Sequence, residues 1–234
     1  MALVERNAKL IETFDVGPGI RHFRFEVPDV ERFEFVPGQW VSMTEVVNDK
    51  KVTRAYSLAS LPDSNRFEIC LNKVQEGLFT PFLFSLKPGD VVPTKGPIGA
   101  FTVKAKDREA IYVATGTGVV PYRPMLSQLG YLDQGTKASL IFGARYAEGL
   151  MFRSEFEVLA GRLPNFTFLP TVTRPNEDWQ GRTGRVQPLL WELLGDRKDV
   201  DVYVCGLNEM VESVREELKL RGFDRKQIIV EKYD

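Results

Sequence analysis

The chain has 234 residues, 43% of them apolar, and a formal net charge of −1. That length suits one large or two small domains, since domains commonly run roughly 100–150 residues, and the apolar fraction argues against wholesale disorder. The near-neutral charge gives no reason to expect nucleic acid or an anionic membrane as a partner. No run is long and apolar enough to span a bilayer, and the opening "MALVERNAKLIETF" lacks the apolar segment of a signal peptide. A cytoplasmic protein is expected.

The first half reads as short strands. In "RHFRFEV" (21–27), Arg21, Phe23, Phe25 and Val27 share one face, with His22, Arg24 and Glu26 on the other. "GQWVSMTEV" (38–46) and "NRFEICL" (65–71) alternate similarly, with Phe67, Ile69 and Leu71 on one face. Between these two lies "RAYSLAS" (54–60), strand-like but carrying an arginine, a tyrosine and two hydroxyls. It is either a half-exposed strand facing water or a strand facing a polar, negatively charged ligand. Turn signals at Gly17-Pro18-Gly19, Pro37-Gly38, Pro62-Asp63-Ser64-Asn65, Lys87-Pro88-Gly89-Asp90 and Lys95-Gly96-Pro97 punctuate the runs. This spacing predicts an antiparallel barrel or sandwich. Within it, Thr80-Pro81 in "EGLFTPFLFSL" predicts an N-cap followed by proline at the first helical position.

The rhythm changes near "VKAKDRE" (103–109). "AIYVA" (110–114), "ASLIF" (138–142), "FTFL" (166–169), "VYVC" (202–205) and "IIV" (228–230) are continuous apolar runs, the pattern of buried parallel strands. Helical segments lie between most of them. The clearest runs from Asn208, a predicted cap, to Arg221, with Met210, Val214 and Leu218 on one stripe and Gly222 to end it. An α/β layer with a parallel sheet follows. The predicted domains are 1–105 and 106–234.

The turn "TGTGVVP" (115–121) follows the first parallel strand, with Thr115, Gly116, Thr117 and Gly118 leading to Pro121. Glycines here let a phosphate or ribose approach the backbone. A glycine-rich turn without a ligand is the alternative, and the spacing is not G-x-G-x-x-G. After the second strand stands Arg145, where an NAD site often has an acid; Arg174, Arg182 and Arg185 follow the third. They are either solvated surface arginines or a set suited to a 2′-phosphate, which tilts the reading toward NADP.

Cysteine and histidine are scarce. Cys70 and Cys205 are far apart, too few for an iron–sulfur cluster and unlike a zinc site, and His22 is the single histidine. No metal centre is expected; an enzyme built this way takes its chemistry from an organic cofactor.

"RAYSLAS", "GPIGAF" (96–101), "GTGVVP" (116–121), "VCGLNEM" (204–210) and "VEKY" (230–233) occur in that order. Together they resemble the ferredoxin–NADP reductase family of flavoenzymes, over nearly the whole chain. The resemblance implies an FAD-binding antiparallel β-barrel followed by a Rossmann-like NAD(P)-binding α/β domain. It implies electron transfer between NADP(H), with NAD(H) possible, and a one-electron carrier such as ferredoxin or flavodoxin, through hydride transfer between nicotinamide C4 and flavin N5. By position in the motifs, Arg54 would pair with the flavin phosphate, Tyr56 stack on the ring and Ser57 sit near N5. Leu71, Lys73, Gly77 and Thr80 would hold the rest of the flavin nucleotide, although Leu78-Phe79 interrupt the usual glycine-rich stretch. Cys205 and Glu231 would lie near the nicotinamide. Tyr233 would shield the other flavin face, although Asp234 follows it where plant-type members end on the tyrosine. Three alternatives stay open: an NADH-dependent reductase component of an oxygenase system, a flavin reductase that releases its flavin, and a non-catalytic flavin-binding subunit of a larger complex.

Overall fold

The alternation of the first half becomes six antiparallel strands: β1 (Glu5–Gly17), β2 (Ile20–Glu26), β3 (Trp40–Val47), β4 (Lys50–Ser57), β5 (Arg66–Asn72) and β6 (Val91–Ile98). The structure is a computed structural model that describes residues 4–127 and 135–233, so Asp234 lies outside the described residues. The strand order is β4-β3-β6-β1-β2-β5. The sheet curls until its two ends meet: Ala59, just past β4, donates its N–H to the Glu68 carbonyl of β5 at 2.7 Å. The faces read from the sequence hold here. Phe23, Phe25, Phe67, Ile69 and Leu71 point into a core shared with Ala8, Leu10, Val41 and Met43. Each such fully buried side chain contributes about 1.5–3 kcal/mol from the apolar surface it removes from water.

The continuous runs of the second half become β7 (Ala110–Thr115), β8 (Ala138–Ala144), β9 (Phe166–Val172), β11 (Asp201–Leu207) and β12 (Ile228–Tyr233), paired in parallel. A two-residue strand, β10 (Arg182–Thr183), adds to β9. It is too short to leave a hydrophobic pattern in the sequence. The order is β10-β9-β8-β7-β11-β12. β7, β8 and β11 are buried along nearly their whole length, which is why they show no alternation. Helices α4 (Val186–Leu194) and α5 (Asn208–Leu220) pack Val186, Leu190 and Leu194, and Val211, Val214 and Leu218, against Ile111, Val113, Val202 and Val204.

Three local expectations are corrected. Asn208 does not cap α5: Leu207 occupies that position, no side chain accepts from the first turn, and Asn208 is the first helical residue. Thr80 does not cap α1 (Phe79–Ser85), whose N-cap is Leu78. Its hydroxyl instead accepts from the Val74 N–H at 2.9 Å and donates to the Val74 carbonyl at 3.2 Å, closing the 74–80 loop. The strand in "RAYSLAS" ends at Ser57, because Leu58 N–H donates to the Gln39 carbonyl and Ala59 N–H to Glu68, outside the β3–β4 ladder.

The described residues divide into two compact units. One holds 4–103 with 120–127, and the other holds 104–119 with 135–233. Helix α2 (Tyr122–Ser127) therefore packs with the antiparallel sheet, although it follows the turn after β7 in sequence. Its Tyr122 ring lies 5.8 Å from that of Phe101.

Candidate functional site

The first unit places Arg54, Tyr56 and Ser57 at the end of β4, with Val41 opposite Tyr56 and Trp40 opposite Ser57 on β3. Alternation along a strand puts Arg54 and Tyr56 on one face and Ser57 on the other. Arg54 is exposed, and its guanidinium donates to the Thr53 carbonyl at 2.8 Å. The Tyr56 ring stacks on Phe79 of α1, with centroids 6.0 Å apart and planes 28° from parallel. Its hydroxyl is buried without a hydrogen-bond partner. Burial pushes the phenol pKa up, and the nearby Arg54 charge offsets part of this. Ser57 is buried.

Leu71 has its side chain in the core, so only its backbone is available to a ligand. Lys73 donates its backbone N–H to Gly19 and holds its ammonium 5.7 Å from the Phe84 ring. Gly77 closes a turn onto the Val74 carbonyl at 3.0 Å. Thr80 closes the same loop from the other side, leaving a seven-residue helix with no side-chain cap. Thr80 therefore acts in this loop and not as the cap of α1.

In the second unit the sheet order reverses between β7 and β11. β8, β9 and β10 lie to one side of β7, and β11 and β12 to the other. Open α/β sheets bind ligands in the crevice outside the carboxyl ends of strands at such a reversal. The tight turn Gly116–Val119 leaves β7 at this point. A Cβ on Gly118 would collide with the Cys205 carbonyl of β11, so only glycine lets the turn lie against that strand. Thr115 brings a buried hydroxyl with no hydrogen-bond partner to the same place.

Cys205, Glu231 and Tyr233 gather on β11 and β12, where Cys205 pairs with Glu231 and Leu207 with Tyr233. Burial holds the Cys205 thiol pKa well above its ordinary value, the Glu231 charge adds to this, and a hydrogen bond with Tyr233 partly opposes it. Cys205 is therefore a neutral, fully buried thiol at physiological pH, not suited to nucleophilic attack.

Arg145 and Arg174 are tied together by backbone, Arg174 N–H donating to the Arg145 carbonyl at 2.8 Å. Arg182 lies in β10 opposite Thr171, and Arg185 occupies the N-cap position of α4. All four are exposed beyond the carboxyl ends of β8 and β9 or along β10 and the start of α4.

Sequence reasoning missed a charged cluster in the first unit. Glu68 on β5 lies 3.2 Å from His22, 2.8 Å from Arg24 and 2.7 Å from Arg123 of α2. Burial would raise the Glu68 pKa, but bonds and charge from His22, Arg24 and Arg123 bring it down to about 2. The only sequence signal was the polar face of "RHFRFEV"; the pairing of β2 with β5 was needed to find its partner.

The residues present fit a flavin and a nucleotide. The Tyr56 and Thr115 hydroxyls, one in each unit, are buried without partners, a condition that costs about 1–3 kcal/mol each and that a bound ligand relieves. The oxidoreductase FAD-binding domain family matches residues 7–103, and the oxidoreductase NAD-binding domain family matches residues 112–216. Ferredoxin–NADP reductase B of Sorangium cellulosum is 38% identical over 97% of this chain and 97% of its own length. The toluate 1,2-dioxygenase electron transfer component of Pseudomonas putida is 31% identical over 87% of this chain; the chain spans 60% of that relative. A cytochrome P450 reductase from Amycolatopsis has the same fold, with a TM-score of 0.88 and 25% identity over 98% of this chain and 70% of that one.

Fold and family matches define an oxidoreductase that works with FAD and a pyridine nucleotide. The chain belongs to the ferredoxin–NADP reductase family.

Proposed function

We propose that this protein moves electrons between NADPH and a separate one-electron carrier of the ferredoxin or flavodoxin type, in the cytoplasm. Residues 1–105 would hold FAD and residues 106–234 the nucleotide. The observation that carries the reading is the reversal of sheet order at β7 and β11, with the Gly116–Val119 turn seated against Cys205 and four arginines beyond the neighbouring strands. The similarity to a named ferredoxin–NADP reductase along almost its whole length supports it. Among the described residues no helix is long and apolar enough to cross a membrane, and no cluster of His, Cys, Asp or Glu could hold a metal. A separate one-electron carrier is supported by the similarity to a ferredoxin–NADP reductase and to an oxygenase electron transfer component.

When bound, the flavin supplies two-electron chemistry toward the nicotinamide and one-electron chemistry toward the carrier. The chain binds and orients. Arg54 has the exposed guanidinium for a pyrophosphate and Tyr56, on the same face of β4, an aromatic ring for a flat ligand, while Ser57 at the end of the strand would serve the flavin N5. Leu71, Lys73, Gly77 and Thr80 offer backbone and one ammonium along the same unit. Thr115, Gly116, Thr117 and Gly118 give the nucleotide a close backbone approach. Arg145, Arg174, Arg182 and Arg185 suit a 2′-phosphate by charge-assisted bonds. Cys205, Glu231 and Tyr233 lie toward the end of β11 and β12, where Tyr233 would be the aromatic cover of the flavin.

Anaerobic mixing of the yellow protein with NADPH and then NADH tests this. NADPH should bleach the flavin much faster; a purified protein with no visible flavin overturns the reading. Ser57→Ala should slow bleaching and leave FAD bound. A second reading, an NADH-dependent reductase component of an oxygenase, is supported by the similarity to the toluate dioxygenase component. Faster bleaching by NADH would favour it.

A further inference from the structure

Trp179 stands in "TRPNEDWQGRTGR" (173–185), a polar stretch with no other large aromatic side chain. This segment leaves β9 and returns as β10, carrying Arg174, Arg182 and Arg185. Its two ends are clasped by backbone. Arg174 N–H donates to Arg145 at 2.8 Å, Gly184 N–H donates to the Val172 carbonyl at 2.8 Å, and the Thr171 hydroxyl donates to the Gly184 carbonyl at 3.0 Å. Between the clasps the indole spans the loop. Its Nε1–H donates to the Arg182 carbonyl at 2.9 Å, and its own backbone N–H donates to Asn176 at 3.2 Å. The Arg153 guanidinium of α3 (Arg153–Arg162) lies 5.0 Å over the ring and is itself held by Glu157 at 2.6 Å. Gly181 lies under the indole, where a Cβ would collide with the ring. A half-buried tryptophan is thus fixed on three sides and pins the backbone of an arginine in the loop.

We propose that Trp179 is a specificity-determining positioning residue. By tethering Arg182 and filling the loop over Gly181, it pre-organises the arginine-bearing segment for the 2′-phosphate of the nucleotide, with Arg153 as its brace. This rests on the NADP reading given above. The physical reason is the ordering penalty: a loop that must be fixed on binding gives up part of its contact energy, and only the ligand that carries the phosphate uses those contacts. Trp179 needs no contact with the nucleotide to act in this way.

Calorimetric dissociation constants for NADP+ and NAD+ on the purified full-length flavoprotein test it. Wild type should bind NADP+ more tightly than NAD+. Trp179→Ala should weaken NADP+ by about tenfold, the scale of one charge-assisted contact, and leave NAD+ nearly unchanged. Trp179→Phe keeps a ring under Arg153 but cannot donate to Arg182, and should fall between the two; Arg153→Met should follow Trp179→Phe. A wild type without preference for NADP+ overturns the NADP reading and this inference with it. A wild-type preference that survives in Trp179→Ala overturns the inference alone, as does equal weakening of both nucleotides, which marks a merely structural role. If Trp179→Ala does not fold, the ratios in Trp179→Phe and Arg153→Met decide by the same criteria.

Discussion

The guanidinium of Arg123 meets the carboxylate of Glu68 at 2.7 Å, and the same Nη1 donates to the Ala59 carbonyl at 3.0 Å. One side chain of α2 thereby closes on both β5 and the chain just past β4, two residues beyond Ser57. Glu68 also holds this chain through backbone: its N–H donates to the Ser60 hydroxyl at 3.1 Å and its carbonyl accepts from Ala59 at 2.7 Å. The pair is half-buried and Glu68 keeps Arg24 and His22, so losing it costs the worth of one charge-assisted hydrogen bond, about 1.5–3 kcal/mol. Arg123→Met and Glu68→Gln should each lower unfolding free energy by that order in urea titrations. The double variant should cost less than the sum of the two, because the groups share one interaction.

The same carboxylate gives the fold a pH dependence. Burial acts to raise the Glu68 pKa, and His22, Arg24 and Arg123 more than offset it, leaving it at about 2 against 4.5 for an ordinary glutamate. A group depressed on folding adds stability that is fully present above its unfolded pKa and disappears as pH falls through its folded one. The contribution, on the order of 3 kcal/mol, should therefore fade between about pH 4.5 and pH 2. Thermal melts across that window should show a shallower slope in Glu68→Gln than in wild type.

Both cysteines are buried, and neither is in a disulfide. Desolvation pushes the Cys70 thiol up to about 12, and Cys205 is likewise raised well above the ordinary range by burial and then by Glu231. Thiolate is the reactive form. The native protein at pH 8 should release almost no thionitrobenzoate from Ellman's reagent over minutes, whereas protein in concentrated urea should titrate two thiols. Rapid labelling of the native state would contradict the neutral-thiol assignment of Cys205.

Tyr56 should behave oppositely with and without ligand. Its hydroxyl is buried without a partner in the protein. Tyr56→Phe should raise the melting temperature of flavin-free protein by a few degrees, since removing an unsatisfied hydroxyl recovers about 1–3 kcal/mol. The same variant should bind FAD more weakly, by about tenfold for one lost hydrogen bond. Fluorescence titration of flavin-free protein with FAD measures the second effect.

Gly118→Ala places a methyl group against the Cys205 carbonyl, a backbone atom that cannot swing aside. Overpacking of this kind costs about 1–3 kcal/mol. Nucleotide affinity should fall at least tenfold, because the turn must move off β11, while FAD absorbance of the purified protein should remain. Unchanged nucleotide affinity would remove the Gly116–Val119 turn from the binding site.

Much of the fold was legible because it is written in short-range periodicity. Phe67, Ile69 and Leu71 recur at every second position, and β5 buries that face. "AIYVA", "ASLIF" and "VYVC" do not alternate, and those strands are buried on both sides. Met210, Val214 and Leu218 recur at helical spacing, and α5 buries them. The order of the motifs pointed to a flavin and a pyridine nucleotide, and the family matches agree.

What failed was local end chemistry. Thr80 and Asn208 are good capping residues by type, yet neither caps a helix, because Thr80 closes a loop onto Val74 and Asn208 falls one position inside its helix. A hydroxyl or amide can satisfy several backbone partners, and composition does not choose among them. By itself the sequence determined which faces turn inward and which segments alternate strand with helix, since these follow from hydrophobic period alone. Only the tertiary structure decided that Arg123 meets Glu68, that Gly118 lies against Cys205 and that Trp179 closes over Gly181. The first two join residues 55 and 87 positions apart, and all three depend on strand register or loop path, which no local pattern records.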